Sequence, residues 1–134
     1  MGYNVVYQLI EPDVYRSLRV ACGLSPKSAE AAVIGMKNSL CCVAVLNSGN
    51  VVGMGRLVGD GACHCQVVDI CVLPEHQGQG LGKLIMQKLE EFIIDNIPSS
   101  CYVNLIADGE AHHLYEQYGF KSVWPESRGM GKII

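Results

Sequence analysis

The chain has 134 residues, 49% of them hydrophobic, and a formal net charge of −3, which suits one domain with its own apolar core. No block of lysine or arginine stands out, which argues against a nucleic-acid partner. The apolar runs are far shorter than the ~20 residues of a membrane span. The N-terminus also lacks a basic segment followed by an apolar one, so we expect a cytoplasmic protein without a membrane partner.

The first half of the chain predicts one strand, two helices and an antiparallel meander. Apolar alternation marks the strands, while Pro12 and Gly23 bracket the first helix. The predicted segments, in order, are YNVVYQLI, a helix over 12–22, a helix in KSAEAAVIGMKN, and the strands LCCVAVLN, VVGMGRLV and CHCQVVDICVL.

The second half predicts a glycine-rich loop, a long amphipathic helix and an alternation of shorter elements. The apolar positions of the long helix are Leu81, Leu84, Ile85, Leu89, Phe92 and Ile93. Next come a strand in CYVNLIA, a short helix in GEAHHLYEQY, and two closing strands in FKSVW and GMGKII. The expected fold class is therefore α/β (α+β), a single domain over 1–134 with a mostly antiparallel sheet flanked by helices.

Seven cysteines, an odd number without any Cys-x-x-Cys pair, predict buried reduced thiols. The sequence CHC at 63–65 resembles metal ligands. In a strand, however, His64 would face away from both neighbouring cysteines, so no metal site is expected. A catalytic thiol would need a lowered pKa and a positioned histidine, and spacing alone demonstrates neither.

The glycine-rich loop follows a strand and opens a helix, which is where backbone N–H groups can bind a phosphate. Three glycines fall within five positions, Gly78, Gly80 and Gly82, whereas a plain turn needs one. The spacing lacks the first glycine and the hydroxyl residue of a P-loop, and it does not fit a dinucleotide fingerprint. The remaining pattern is Gln77-x-x-Gly80-x-Gly82.

This pattern resembles the acetyl-coenzyme A (acetyl-CoA) loop of the GNAT superfamily of N-acetyltransferases, and LYEQYGF at 114–120 is similar to a later tyrosine motif of that superfamily. The order of predicted elements extends the resemblance over nearly the whole chain, which implies a GNAT-like acyl-CoA N-acyltransferase fold. The segment VDICVLPEHQGQGLGKL is also locally similar to the loop of glucosamine-6-phosphate N-acetyltransferases.

The resemblance implies that the loop holds the pyrophosphate of acetyl-CoA and that the preceding strand pairs with its pantetheine arm. The implied cofactor-binding residues are Cys71, Val72, Gln77, Gly78, Gln79, Gly80, Leu81, Gly82, Lys83 and Asn104. Two of these side chains have simpler alternatives, because Asn104 could be an ordinary strand residue and Lys83 part of a solvated helix face. The cosubstrate is acetyl-CoA, and the reaction needs no metal.

Two residues are candidates for catalysis. Tyr115 matches the tyrosine of the superfamily that protonates the departing thiolate, since a phenol with a pKa of about 10 stays protonated at neutral pH. Its alternative is a core aromatic on the face with Leu114 and Tyr118. Asp69 is the one charged residue of an otherwise uncharged strand. It serves either as a base for the amine, directly or through water, or as a structural hydrogen-bond partner of neighbouring backbone amides or of Arg56.

The sequence thus predicts an N-acetyltransferase that acts on a primary amine of a small molecule, such as an amino sugar or an arylalkylamine. The alternatives are a protein or peptide N-acetyltransferase and a non-catalytic acyl-CoA sensor. One position departs from the superfamily, because Asp108 stands where many relatives carry asparagine. The apolar C-terminal GKII could also pair across a homodimer.

Overall fold

A computed structural model describes residues 2–134, which form five strands, four α-helices and one short 3-10 turn. The elements, in chain order, are β1 (Tyr3–Tyr7), α1 (Pro12–Ala21), α2 (Ala29–Lys37), β2 (Cys41–Asn47), β3 (Asn50–Gly59), β4 (His64–Val72), the turn Pro74–His76, α3 (Leu81–Asn96), β5 (Tyr102–Asn104) and α4 (His112–Glu116). The predicted elements up to α4 are confirmed in type and order. No helix in the described part of the chain is long and apolar enough to cross a membrane.

One mixed sheet organises the molecule, with its strands in the order β1-β2-β3-β4-β5. The first four strands pair antiparallel, and β5 pairs parallel with β4. The parallel pairing covers only three residue pairs, from His64 opposite Tyr102 to Gln66 opposite Asn104. Beyond Gln66 the two strands separate, and the second half of β4 faces open space where β5 would otherwise continue.

Each face of the sheet has its own apolar core. On one face, Val43 and Val45 of β2 pack with Ile85 and Leu89 of α3, all four fully buried. On the other face, Ala44 packs with side chains from α1 and α2, among them Tyr15, Leu18, Ala32 and Met36. Strand alternation sends successive β2 residues to opposite faces, which explains why this strand is apolar throughout.

A β-bulge interrupts β4 at the point where it leaves β5. Arg56 of β3 lies opposite Val68, whereas Met54 lies opposite Cys71, so β4 has an extra residue here. Asp69 occupies the bulge with a φ of 62°. Aspartate tolerates this left-handed conformation better than most residues do.

The predicted closing strands FKSVW and GMGKII are wrong. None of residues 121–134 lies in a strand, and Ile133 and Ile134 are exposed. Pro125 cannot donate a ladder hydrogen bond, and two glycines in the last six residues weaken any strand there. The apolar face of α3 also differs by one position, because Leu84 is exposed and Met86 is buried in its place.

Candidate active site

The separation of β4 from β5 opens a cleft with a volume of about 580 Å³. Its walls come from the bulged half of β4, the end of α1 with the loop after it, and the segment from β5 to α4. The lining residues are Arg19, Cys22, Gly23, Leu24, Gln66 to Val72, Gln77, Leu105, Ile106, Asp108, Ala111 and Tyr115. Cys71, Val72, Gln77, Asp69 and Tyr115, all predicted site residues, therefore lie at one cleft.

Gln77 connects the cleft to the glycine loop. Its side-chain amide donates a 3.0 Å hydrogen bond to the carbonyl of Val72, the last residue of β4. The neighbouring His76 ring contacts the hydroxyl of Tyr3 at 2.7 Å, which fastens the turn before the loop to β1. The loop therefore starts from a fixed point at the strand end.

The loop backbone leaves room for an anion. Gly78 and Gly80 have φ values of 78° and 77°, and no described atom lies within 4 Å of a Cβ placed on either. Gly80 is the N-cap of α3, and no side chain in the described chain caps this helix. The first N–H groups of α3 therefore remain available to a phosphate, as an acetyl-CoA loop requires.

The other predicted cofactor residues differ in their positions. Gln79 and Lys83 are exposed, Leu81 is buried in the core, and a Cβ on Gly82 would lie 3.5 Å from Leu114. Asn104 lies in β5 opposite Gln66 and does not line the cleft. The structure thus brings the loop and the strand end together, and it leaves the side chain of Asn104 outside the cleft.

Tyr115 lies in α4 with only 9% of its surface exposed, and it lines the cleft opposite β4. Burial raises the pKa of its phenol, and the charges of Asp108 and Cys71 raise it further. A hydrogen bond of 3.0 Å from the Tyr118 hydroxyl to the Lys83 carbonyl holds the end of α4 against the start of α3. The raised pKa keeps this phenol protonated at neutral pH, as the proposed acid must be.

Three side chains donate hydrogen bonds to the Asp69 carboxylate. It accepts hydrogen bonds from the Tyr15 hydroxyl at 2.7 Å, from Nε of Arg56 at 2.8 Å and from Nη1 of Arg19. The side chains of both arginines and of Asp69 are almost completely buried. Because three buried donors already bind this carboxylate, the geometry favours the structural alternative for Asp69 over the base.

Sequence reasoning missed Arg19, Cys22, Leu24 and Ile106 as cleft residues. No motif marks them, because they come from the end of α1 and the segment after β5, whose distance from β4 depends on the fold. The one available signal was Arg19 on the face of α1 that carries Tyr15 and Leu18. A basic residue in an apolar stripe indicates a buried partner.

The cleft thiols are poor nucleophiles. Burial raises the pKa of Cys71, and its neighbour Cys22 raises it further. Burial also raises the pKa of the Cys22 thiol. Because the thiolate is the reactive form, these shifts argue against a catalytic cysteine in this cleft.

One group of side chains in the described chain has ligand atoms spaced for a metal. These atoms, on Glu110, His112 and His113, lie within 4.8 Å of one another near the start of α4. The Glu110 and His113 side chains are exposed and bind each other at 3.0 Å. These side chains are exposed on the surface, and the cleft does not include them.

Three features occur together at this cleft. They are a strand that separates from its parallel neighbour, a positive-φ glycine loop that opens a helix, and a buried phenol. This combination is typical of an acyl-CoA-dependent acyltransferase fold. Residues 37–122 match the family described as Acetyltransferase (GNAT) domain. The chain therefore belongs to the GNAT acetyltransferase family.

Solved structures agree over the whole chain. A Staphylococcus aureus protein of unknown function, described as a probable acetyltransferase, is 40% identical with a TM-score of 0.93 over 98% of this chain and 99% of its own. A GNAT-family acetyltransferase from Streptococcus pneumoniae is 27% identical with a TM-score of 0.79 over 98% of both chains. The resemblance in fold thus extends well beyond the loop motif.

Curated relatives match a shorter part of this chain. The chloroplastic GCN5-related N-acetyltransferase 2 of Arabidopsis thaliana is 32% identical over 80 residues, which is 60% of this chain and 30% of the relative. For three such relatives the match covers 30 to 34% of their length, so this chain spans about a third of the curated proteins it matches. Their acceptors therefore do not carry over directly.

Proposed function

We propose that this protein is an acetyl-CoA-dependent N-acetyltransferase whose acceptor is the primary amine of a small molecule. The observation that carries the proposal is the cleft that joins the Gln77–Val72 end of β4 to the buried phenol of Tyr115. In such a cleft, the thioester of an acetyl-CoA bound at the loop would lie between the acceptor amine and the Tyr115 phenol.

Each residue of the cleft and loop has a role in the reaction that follows from its position. Backbone N–H groups from Gly78 to Gly82 bind the pyrophosphate, since the N–H of Gln77 already donates to the Pro74 carbonyl, and the unpaired edge of β4 at Cys71 and Val72 binds the pantetheine arm. Acetyl-CoA supplies the activated acetyl group. Tyr115 donates its proton to the departing sulfur as the amine nitrogen forms the new bond to the acetyl carbon and the carbon–sulfur bond breaks. The excess proton of the amine leaves to water, because Asp69 is engaged by two arginines, and water returns a proton to the Tyr115 phenolate for the next turnover.

The size of the cleft supports a small acceptor, of the amino sugar or arylalkylamine kind. About 580 Å³ is the volume of a small-molecule site, and it must also hold the end of the pantetheine arm. The local likeness of the loop to glucosamine-6-phosphate N-acetyltransferases receives no support from the relatives described above. The proposal of a small acceptor therefore rests on the volume of the cleft.

The test is a thiol-release assay with acetyl-CoA and a panel of amino sugars, arylalkylamines, polyamines and peptides. Release of free coenzyme A that depends on a small amine, with the acetylated amine identified by mass spectrometry, supports the proposal. Calorimetry measures acetyl-CoA binding in parallel with the thiol-release assay. Tight binding without turnover on any amine would instead identify an acyl-CoA sensor, and turnover on peptides alone would identify a peptide N-acetyltransferase.

A further inference from the structure

A buried cluster beside the cleft contains more positive than negative charge. The cluster consists of Arg19, Arg56, Asp69 and Tyr15, joined by hydrogen bonds of Asp69 to the other three. Burial, followed by the hydrogen bond to Asp69, raises the pKa of Tyr15, so this phenol is neutral. Two guanidinium groups against one carboxylate leave the cluster with a net charge of about +1.

Arg19 brings one of the two positive charges of the cluster to the cleft. It lines the cleft together with Asp69, whereas Arg56 lies behind them. Among residues 2–134, Arg19 makes three hydrogen bonds, one to Asp69 and two to the carbonyl and hydroxyl oxygens of Ser25 at 2.8 and 3.1 Å. A guanidinium has five N–H donors, so two remain for a ligand.

The opposite wall carries the opposite charge. Asp108 lines the cleft with Ala111 and Tyr115, on the segment that leads into α4. Its carboxylate lies close enough to Tyr115 to raise the pKa of that phenol. The cleft therefore has a cation at the α1 wall and an anion near the proposed acid.

We propose that the acceptor is a small amine that also carries an anionic group, a carboxylate or a phosphate, and that Arg19 selects it. The amine lies towards Asp108 and Tyr115, and the anionic group lies against Arg19. A guanidinium with free N–H groups binds either anion through paired hydrogen bonds. This inference rests on the proposed acetyl transfer and narrows its acceptor, since an amine without an anion leaves the excess charge of the cluster unpaired.

Matched pairs of acceptors test the inference on the wild-type protein. One pair is β-alanine and β-alaninamide, and the other is O-phosphoethanolamine and methoxyethylamine. With rates corrected for the fraction of unprotonated amine, at least one anionic member should exceed its neutral partner in kcat/KM by roughly tenfold, which is about 1.4 kcal/mol. The pair that shows the preference identifies carboxylate or phosphate as the anion. Equal or faster turnover of both neutral members would overturn the inference.

Variants test the role of Arg19. Arg19→Gln removes the excess charge and keeps an amide that can reach Ser25 and Asp69, so the ratio of kcat/KM within a pair should fall towards one. Ser25→Ala is the matched control, because it removes one hydrogen bond of Arg19 and no charge, and it should keep the ratio. A ratio compares two acceptors on the same protein sample, so a lower folded fraction does not change it.

The outcomes separate this inference from the proposed function. Turnover of neutral amines with no preference for anions overturns the inference and leaves acetyl transfer intact. An unchanged ratio in Arg19→Gln overturns the assignment of Arg19. Binding of acetyl-CoA without turnover of any amine overturns both.

Discussion

The side-chain amide of Gln77 donates a 3.0 Å hydrogen bond to the carbonyl of Val72 and so ties the glycine loop to the end of β4. The two features that acetyl-CoA needs, N–H groups for its phosphates and a strand edge for its pantetheine arm, are thereby held at a fixed separation. On the other side, the N–H of Leu73 donates to Val52 at 2.8 Å, which fastens the same strand end to β3. The strand end and the start of the loop are therefore fixed relative to each other, as the proposed cofactor site requires.

Gln77→Ala should weaken acetyl-CoA binding because the loop loses its tie to the strand end. One hydrogen bond of this kind contributes about 0.5–1.5 kcal/mol, so we expect the dissociation constant to rise roughly two- to tenfold. Calorimetry measures this dissociation constant. Gln87→Ala is the control, an exposed glutamine on α3 outside the loop. Equal effects of the two substitutions would show that the Gln77–Val72 bond does not position the cofactor.

Gly80→Val should reduce both stability and acetyl-CoA binding. Gly80 has a φ of 77°, where a β-branched residue is strained by about 1–3 kcal/mol, and its N–H lies in the loop proposed to bind the phosphates. Gly49→Val is the control, because Gly49 has a φ of 81° and equally open surroundings in the β2–β3 turn. Both variants should lose similar stability in urea unfolding, and only Gly80→Val should bind acetyl-CoA roughly tenfold or more weakly. Wild-type affinity in folded Gly80→Val would refute the loop assignment.

Tyr115→Phe should lower kcat by roughly 10²- to 10⁴-fold, the range for losing a positioned general acid, while acetyl-CoA binding is retained. The ring stays in the core, so the packing of α4 is kept. Tyr102→Phe, on the exposed side of β5, is the control and should leave kcat unchanged. If Tyr115 serves only packing, its phenylalanine variant will turn over at the wild-type rate with a small change in stability.

Asp108→Asn should shift the alkaline limb of the kcat profile to lower pH. Tyr115 acts as an acid only when protonated, so kcat falls as pH rises through its pKa. Burial, then Asp108 and Cys71, raise that pKa in the wild type, and removal of the Asp108 charge brings it closer to the ordinary value of about 10. Profiles of kcat against pH for both proteins measure the shift. Superimposable alkaline limbs would show that this phenol does not govern turnover.

Asp69→Asn should destabilise the protein because Arg19 and Arg56 lose their shared counter-charge. Asparagine adopts the positive φ of this position readily, so the backbone is not the cause. Breaking a buried ion pair costs about 3–5 kcal/mol, which urea unfolding measures. Asp95→Asn, an exposed carboxylate on α3, should change stability by less than about 0.5 kcal/mol. Similar small changes in both variants would show that the Asp69 carboxylate is not structural.

The chain order of the elements up to α4 and the place of the glycine loop before α3 could be predicted because their signals are local. Apolar alternation or a continuous apolar run marks β1 to β4, and Gly78 and Gly80 take positive φ values that glycine adopts most readily. The candidate acid Tyr115 was also placed, since its motif lies within seven consecutive residues. Each of these features depends on residues that are close neighbours in sequence.

The position of Arg19 beside Asp69 was decided by tertiary structure alone. Fifty positions separate the two residues, and only the packing of α1 on the sheet brings the guanidinium to the β4 bulge. The C-terminal segment shows the same limit, because FKSVW has the composition of a strand but finds no pairing partner. Side-chain type and local spacing set what each segment can form, while long-range packing sets which charges are buried together and which strand edges stay open.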